Sequence, residues 1–144
     1  MSQSPAKSIP DSIIEGVLST SDVLDVVAII DAVDVGVVFY DQRGTVIDIN
    51  DVAAQFVGGS KESVIGATAK VQARFSVKRD GTRFSAAELP VVVALEERRP
   101  VKFDILGFDL FAHPRKWLRG TVAPVFVPGV VEGAVALYLD ITSR

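Results

Sequence analysis

Residues 36–50 read Gly-Val-Val-Phe-Tyr-Asp-Gln-Arg-Gly-Thr-Val-Ile-Asp-Ile-Asn, and the rest of the chain can be arranged around them. Val37–Tyr40 is a run of β-branched and aromatic residues, which favour a pleated, packed surface. Asp41–Gly44 is a short polar segment that ends in glycine, and this pattern predicts a hairpin turn. Thr45–Ile49 then predicts a second strand. The Asn-Asp pair at 50–51 is expected to cap a following helix, because either side chain accepts a backbone N–H bond.

Length and composition indicate one folded domain. The chain has 144 residues, 49% of them hydrophobic, and a mean hydropathy of +0.36. This is enough to bury a core and excludes intrinsic disorder. The high apolar content also indicates apolar surface kept for a partner or a ligand. The net charge of −3 and the pI near 5.1 argue against a nucleic-acid partner, which requires a concentrated basic face.

The absence of cysteine excludes disulfides, thiolate catalysis, a Cys-linked cofactor and Cys-ligated metal. The N-terminus lacks the apolar core of a signal peptide. Thr121–Leu139 is strongly apolar, but prolines at 124 and 128, glycines at 129 and 133 and Glu132 interrupt it. We interpret it as two strands and a turn and expect no membrane span. A cytoplasmic location is the expectation.

The first third of the chain predicts a tail and two helices. Residues 1–20 are expected to form a tail with a short helix, followed by one domain over residues 21–144. Asp22–Val33 predicts a helix that is apolar nearly all round, so it must be buried on more than one side. It is either the core helix of a monomer or a helix packed on its own sheet and on a second subunit. In the second case the dimer interface comprises Val23, Val26, Val27 and Ile30.

The middle of the chain predicts short helical pieces. Asp51–Val57 is expected to be helical and to end at the two glycines that follow it. Ser60–Gly66 predicts another helical turn, whereas Ala67–Val77 has no clean period and is expected to be irregular. Ala86–Arg98 predicts a longer helix, with Pro90 tolerated in its first turn.

The last third of the chain predicts three strands. Val101–Phe111 alternates in hydropathy like a half-buried strand, and Trp117–Val127 and Glu132–Ile141 are expected to be longer strands. The predicted order is helices, two strands, helical pieces and three strands. This order predicts a segregated α+β domain with one antiparallel sheet of about five strands.

Several weak motifs lie in a recognisable order and spacing. They are Asp41-x-x-Gly44 with Thr45-Val-Ile-x-x-Asn50, Ser60–Gly66, Asp80-Gly81 followed by Glu88-Leu89-Pro90, Trp117-Leu-Arg with Pro124, and Gly133–Leu139 with Asp140-Ile141-Thr142. In these motifs the chain resembles the PAS family of sensory domains, and a bacterial sensory PAS domain in particular. The resemblance covers roughly Val23–Thr142.

The resemblance implies a five-stranded antiparallel sheet with short helices on one face that enclose a pocket. By comparison with flavin-binding members, the pocket candidates are Val38, Tyr40, Phe56, Val64, Phe103, Leu118, Gly120, Val122, Ala136 and Tyr138. The residues themselves agree on one point, since Gly120 and Ala136 leave volume that a ligand could fill. Neighbouring rings such as Phe103 or Tyr138 could instead fill it, so a ligand-free packed core stays open.

The last strand is apolar on both faces, because Val135, Leu137 and Leu139 point away from the predicted pocket. A sheet that is wet on one side should alternate, so this outer face needs a cover. The Asp22–Val33 helix is the candidate cover, and two such helices packed across a two-fold axis predict a homodimer. The resemblance implies that Asp140, Ile141 and Thr142 form the exit through which a signal leaves the domain.

The sequence offers little cofactor or catalytic chemistry. The only histidine, His113, falls in a predicted hairpin loop, whereas the resemblance implies that a haem ligand would lie on Ala86–Arg98, which has none. The missing cysteine excludes covalent flavin photochemistry, and Tyr138 stands where flavin-binding members commonly carry Gln, so the cofactor stays unknown. Asp48 and its neighbours lack the further ligands of a calcium loop, and no metal site is predicted.

These observations favour a homodimeric, cytoplasmic sensory domain that binds a small apolar ligand and relays a signal to an output domain or partner protein. It is expected to bind neither nucleic acid nor membrane. The first alternative is a ligand-free dimerisation and interaction module. The second is a small α+β cone enzyme with Asp104 or Asp109 as a base near Tyr138, which the outward placement of Asp104 disfavours. No catalytic residue is assigned.

Overall fold

The computed structural model describes residues 34–58, 60–109, 114–127 and 130–142. The predicted tail and both predicted N-terminal helices, including Asp22–Val33, lie outside these ranges. Within them, no helix has the length and apolar character needed to cross a membrane.

The described residues form one sheet and a few short helices. The strands are β1 Gly36–Asp41, β2 Val46–Ile49, β3 Ser76–Val77, β4 Val101–Phe108, β5 Lys116–Val127 and β6 Val130–Asp140. The helices are α1 Asp51–Phe56, α2 Ala69–Phe75 and α3 Pro90–Glu97, with a 3-10 turn at Ala86–Glu88. The sheet is antiparallel in the order β2-β1-β6-β5-β4-β3. This confirms the predicted α+β class and adds a two-residue sixth strand at one edge.

The hairpin between β1 and β2 forms as its sequence predicts. The carboxylate of Asp41 accepts hydrogen bonds from the backbone N–H groups of Arg43 (2.8 Å) and Thr45 (3.0 Å). Gly44 adopts a φ of +81°, a conformation that side chains with a Cβ rarely tolerate. The turn residues therefore set the point at which the chain reverses.

Asn50 joins the end of β2 to both α1 and β1. Its Oδ1 accepts from the N–H of Ala53 (2.9 Å), which caps α1, and from the N–H of Val37 (2.9 Å) in β1. Its Nδ2 donates to the carbonyl of Val35 (2.9 Å). The predicted cap is therefore at Asn50, and the same side chain ties the helix start to the central strand.

The sheet has an apolar cluster on each face. On the inner face, strand residues such as Val38, Val122 and Ala136 pack with buried residues of α1, α2 and α3. The outer cluster is built on Val37 and Val135, whose side chains are 0% and 3% exposed. The described helices thus lie on one face, as predicted. Whether the Asp22–Val33 segment covers the other face stays a prediction.

The prediction for the middle of the chain was partly wrong. Residues 67–77, expected to be irregular, contain α2 and β3. At Ser60–Gly66 the expected helical turn is present as a single turn, in which the N–H of Ile65 donates to the carbonyl of Lys61 (3.0 Å). The helix expected over Ala86–Arg98 is divided at Leu89, which is extended (φ −58°, ψ 137°). The break has a steric cause, because a residue that precedes proline is disfavoured in the helical region.

Candidate functional site

An apolar cavity of about 270 Å³ lies between the inner face of the sheet and the three helices. Residues of all six strands, of all three helices and of the turns at 57–67 line it, together with Leu89. Six of the ten predicted pocket residues line it: Val38, Tyr40, Phe56, Val64, Leu118 and Tyr138. That these residues bind a ligand stays a prediction.

The floor of the cavity is formed by two tyrosines that meet over the centre of the sheet. Tyr40 pairs with Ala134 and Tyr138 pairs with Gly36, so the two residues lie four positions apart along the β1–β6 pairing, on the inner face. Their hydroxyl oxygens lie 2.8 Å apart and form a hydrogen bond. The rings reach each other across the Val38–Ala136 pair, where the alanine leaves room for them.

The other four predicted pocket residues do not line the cavity. Val122 and Ala136 are 0% exposed and pack in the core beneath the tyrosine layer. Phe103 packs against Tyr138, with ring centroids 5.5 Å apart. Its Cζ lies 3.1 Å from where a Cβ at Gly120 would stand. Aromatic rings of the protein therefore occupy the volume beside the small residues, and contact of these four residues with a ligand stays a prediction.

Gly120 is also required by the backbone. A Cβ at this position would overlap the carbonyl oxygen of Leu137 on β6. A larger residue there would push β5 and β6 apart, so the glycine serves strand packing.

Helix α2 adds cavity residues that were not predicted from the sequence. This helix contributes Val71, Gln72 and Phe75 to the wall. The sequence feature that could have predicted this helix is Thr68. Its hydroxyl accepts from the N–H of Val71 (3.3 Å) and so forms the N-cap. Gln72 then fixes the helix to the hairpin, since its Nε2 donates to the carbonyls of Gly44 (2.7 Å) and Ala67 (3.0 Å).

The cavity opens beside α2. Val71 and Phe75 line the cavity and are 36% and 37% exposed, and Ser63 on the neighbouring turn is both a lining residue and exposed. The Phe75 ring lies 6.1 Å from that of Phe108, which also lines the wall. A small molecule would therefore enter between α2 and the Ser60–Gly66 turns.

The wall of the cavity is neutral and mostly apolar. In the part of the chain that the structure describes, no Asp, Glu, Lys, Arg or His lines it. Burial, followed by the proximity of Tyr138, raises the pKa of Tyr40 well above its ordinary value of 10.0. Burial also raises the pKa of Tyr138. Both phenols are therefore neutral near neutral pH and keep their hydroxyl hydrogens.

Solved structures match this arrangement of sheet and helices over most of the chain. The PAS domain of a protein from Colwellia psychrerythraea is 22% identical, with a TM-score of 0.63 over 85% of this chain and 98% of that chain. The PAS domain of the fruit-fly ELK potassium channel is 15% identical, with a TM-score of 0.62 over 83% and 97% of the two chains. The LOV domain of a blue-light activated histidine kinase from Erythrobacter litoralis EL346 is 14% identical, with a TM-score of 0.58 over 75% and 96%.

The chain has the PAS fold. No protein-family model matches the sequence, and no curated protein is significantly similar to it. The similarity to solved PAS structures therefore confirms the resemblance drawn from the sequence at the level of the fold.

The predicted exit of the PAS fold is held to the start of β5. Thr142 donates its N–H to the Asp140 carboxylate (2.9 Å) and accepts from the N–H of Trp117 (3.0 Å) through its hydroxyl. The N–H of Ile141 donates to the carbonyl of Trp117 (2.8 Å). Leu118, which lines the cavity, pairs directly with Asp140. One strand pairing thus separates the cavity wall from the exit residues.

Neither carboxylate considered as a catalytic base lies at the cavity of this PAS fold. Asp104 is exposed on β4. Asp109 pairs with Arg115 (2.5 Å) and Arg83 (2.9 Å), and the hydrogen bond from Arg115 is the main cause of its lowered pKa. The structure therefore does not bring either carboxylate together with Tyr138. Among the described residues there is also no cluster of three metal-ligating side chains.

The remaining predicted site residues fall outside the described residues. They are the dimer-interface candidates Val23, Val26, Val27 and Ile30, together with the loop residue His113. Their predicted positions in a PAS dimer and in a hairpin loop stay predictions.

Proposed function

We propose that this chain is a sensory domain that binds a small, mainly apolar ligand in the cavity between its sheet and helices. The cavity itself carries the proposal, because packed protein interiors contain few voids larger than a water molecule. Its volume of about 270 Å³ lies just below the range of ligand cavities, which is roughly 300–1,000 Å³. The ligand is therefore small.

Ligand entry is tested by NMR titration with benzene, a probe that occupies dry apolar cavities. Val64 lines the cavity from a surface turn, so V64W replaces a lining side chain with a bulky indole. Val93 is equally half-buried on α3 but does not line the cavity, and V93W is the matched control. We expect benzene to shift the signals of Val38 and Leu118 in the wild type and in V93W, and to shift them much less in V64W. Equal shifts in all three proteins, or none in the wild type, would refute the cavity as the ligand site.

We also propose that the domain is a homodimer held by the Asp22–Val33 segment through Val23, Val26, Val27 and Ile30. The apolar outer cluster around Val37 and Val135 supports this, since an apolar sheet face requires a cover. Light scattering tests it with V27E. The control is I47E, which adds the same charge at a β2 residue that is 54% exposed. V27E should halve the mass and I47E should not; a dimeric V27E would exclude this interface.

In this proposal a ligand shifts the sheet and thereby the exit residues Asp140, Ile141 and Thr142, and the signal passes to an output domain or a partner protein. The Leu118–Asp140 pairing supports this route, because it joins the cavity wall to the exit. Proteins with a similar fold include a histidine kinase and a potassium channel, and both are consistent with an attached output. The effect is a population shift, so it is no larger than the difference in ligand affinity between the two states.

A ligand-free dimerisation module is the second candidate. The observation that favours it is the aromatic layer of Tyr40, Phe103 and Tyr138, which already fills part of the space above Gly120 and Ala136. The benzene titration separates the two candidates, because a module with a closed core would not respond to it. Catalysis forms no part of either proposal, and in both the domain spans residues 21–144 and acts in the cytoplasm.

A further inference from the structure

The two tyrosines on the cavity floor have two hydroxyl hydrogens, and the described residues accept only one of them. Each phenol carries a single O–H hydrogen, and the bond between Tyr40 and Tyr138 uses one of them, whichever residue donates. The contacts of the described residues provide no acceptor for the second hydrogen. Buried donors without a partner are rare in native proteins.

This second donor lies at the cavity. Both tyrosines line it, and Tyr40 is only 4% exposed. The hydroxyls meet above the Val38–Ala136 pair, so the sheet is on one side of them and the cavity is on the other. Ser76 has the other buried hydroxyl of the wall, and this hydroxyl already donates to the carbonyl of Gln72 (2.8 Å). The tyrosine pair is thus the point at which the apolar wall offers a hydrogen.

The charge of the wall limits what can accept this hydrogen. A buried carboxylate would require a cationic partner, and no cation lines the cavity in the described part of the chain. A neutral oxygen acceptor carries no such cost, and the rest of the molecule can lie against the aliphatic and aromatic wall.

We propose that the ligand is a small neutral carbonyl compound, such as a ketone, an aldehyde or an ester, whose oxygen accepts a hydrogen bond from the Tyr40–Tyr138 pair. This inference rests on the proposed function, because it requires that the cavity binds a ligand at all. It adds the chemical class of that ligand and the two residues that select it.

Two probes of nearly equal shape isolate the acceptor. Acetophenone carries a carbonyl where α-methylstyrene carries a methylene group. The carbonyl costs more to dehydrate, so the hydrogen bond is measured as the change in the ratio of the two affinities when the hydroxyls are removed. We expect the wild type to favour acetophenone over α-methylstyrene roughly three- to tenfold more than Y40F/Y138F does by NMR titration, the range of one net hydrogen bond. In S76A, which removes a wall hydroxyl whose hydrogen is already used, the preference should persist.

Each outcome bears on the inference. If the ratio of the two affinities is the same in the wild type and in Y40F/Y138F, the inference is overturned and the proposed function stays intact. Failure of both probes to bind the wild type would refute the proposed function and this inference with it. The infrared carbonyl stretch of acetophenone bound to the wild type gives a measurement that needs no variant. A frequency below its value in an apolar solvent supports the hydrogen bond, and an unshifted frequency contradicts it.

Discussion

Replacing Asn50 with alanine removes three hydrogen bonds that hold the start of the PAS sheet together. One caps α1, one satisfies the N–H of Val37 in β1, and one holds the carbonyl of Val35. Val37 is 0% exposed, so its N–H has no ready access to water in the variant. N50A therefore combines the loss of a helix cap with an unsatisfied donor in the core.

The two effects have known sizes. Loss of an N-cap side chain costs about 1 kcal/mol, and leaving a buried donor unpaired costs about 1–3 kcal/mol. We therefore expect N50A to lower the free energy of unfolding by roughly 2–4 kcal/mol. N50D retains the acceptor oxygen for both N–H groups and loses only the donation to Val35, so its loss should be smaller.

Urea unfolding monitored by circular dichroism measures the difference, and T68A is the matched control. The Thr68 hydroxyl also caps a helix, but its bond to Val71 is 3.3 Å long and exposed, and it holds no strand. We expect T68A to cost about 0.5–1 kcal/mol. If N50A is no more destabilising than T68A, Asn50 acts as an ordinary cap and the proposed tie between α1 and β1 is wrong.

Two further perturbations test other parts of the fold. The hydrogen bond from Lys78, with those from Ser85, lowers the pKa of Glu88 from 4.5 to about 2. The ionised carboxylate therefore stabilises the fold above about pH 4.5, and this contribution is lost as the pH falls towards 2. When the free energy of unfolding is measured against pH, E88Q should lose less stability over this interval than the wild type. An equal dependence on pH in the two proteins would contradict this. G120A should cost about 1–3 kcal/mol in thermal unfolding, because its Cβ would overlap the Leu137 carbonyl, and an unchanged melting temperature would show that β5 and β6 can separate freely.

Local chemistry made the sheet predictable. The Asp41 carboxylate and Gly44 specify the first hairpin through hydrogen bonds within a few residues, and Asn50 specifies the next helix in the same way. Strands β4, β5 and β6 alternate or run apolar over eight or more residues, which gives a sustained signal. For elements of this kind, the local sequence is enough to predict the structure.

Tertiary contacts explain what the sequence did not reveal. Helix α2 has only seven residues, and Gln72 holds it to the hairpin through contacts with Gly44 and with Ala67. A two-residue strand such as β3 has no period of its own. The packing beside Gly120 was not predictable from the sequence for a related reason. Small residues such as Gly120 show where volume is missing, but they do not show that the Phe103 ring will occupy it.

Native mass spectrometry of gently purified protein, followed by denaturing spectra of the same sample, tests the central claim most directly. The account predicts a species of two chains that carries an additional small-molecule mass, lost on denaturation and absent from V64W. A two-chain species of bare mass, together with no response to benzene in solution, would contradict the ligand-binding claim and favour the ligand-free module.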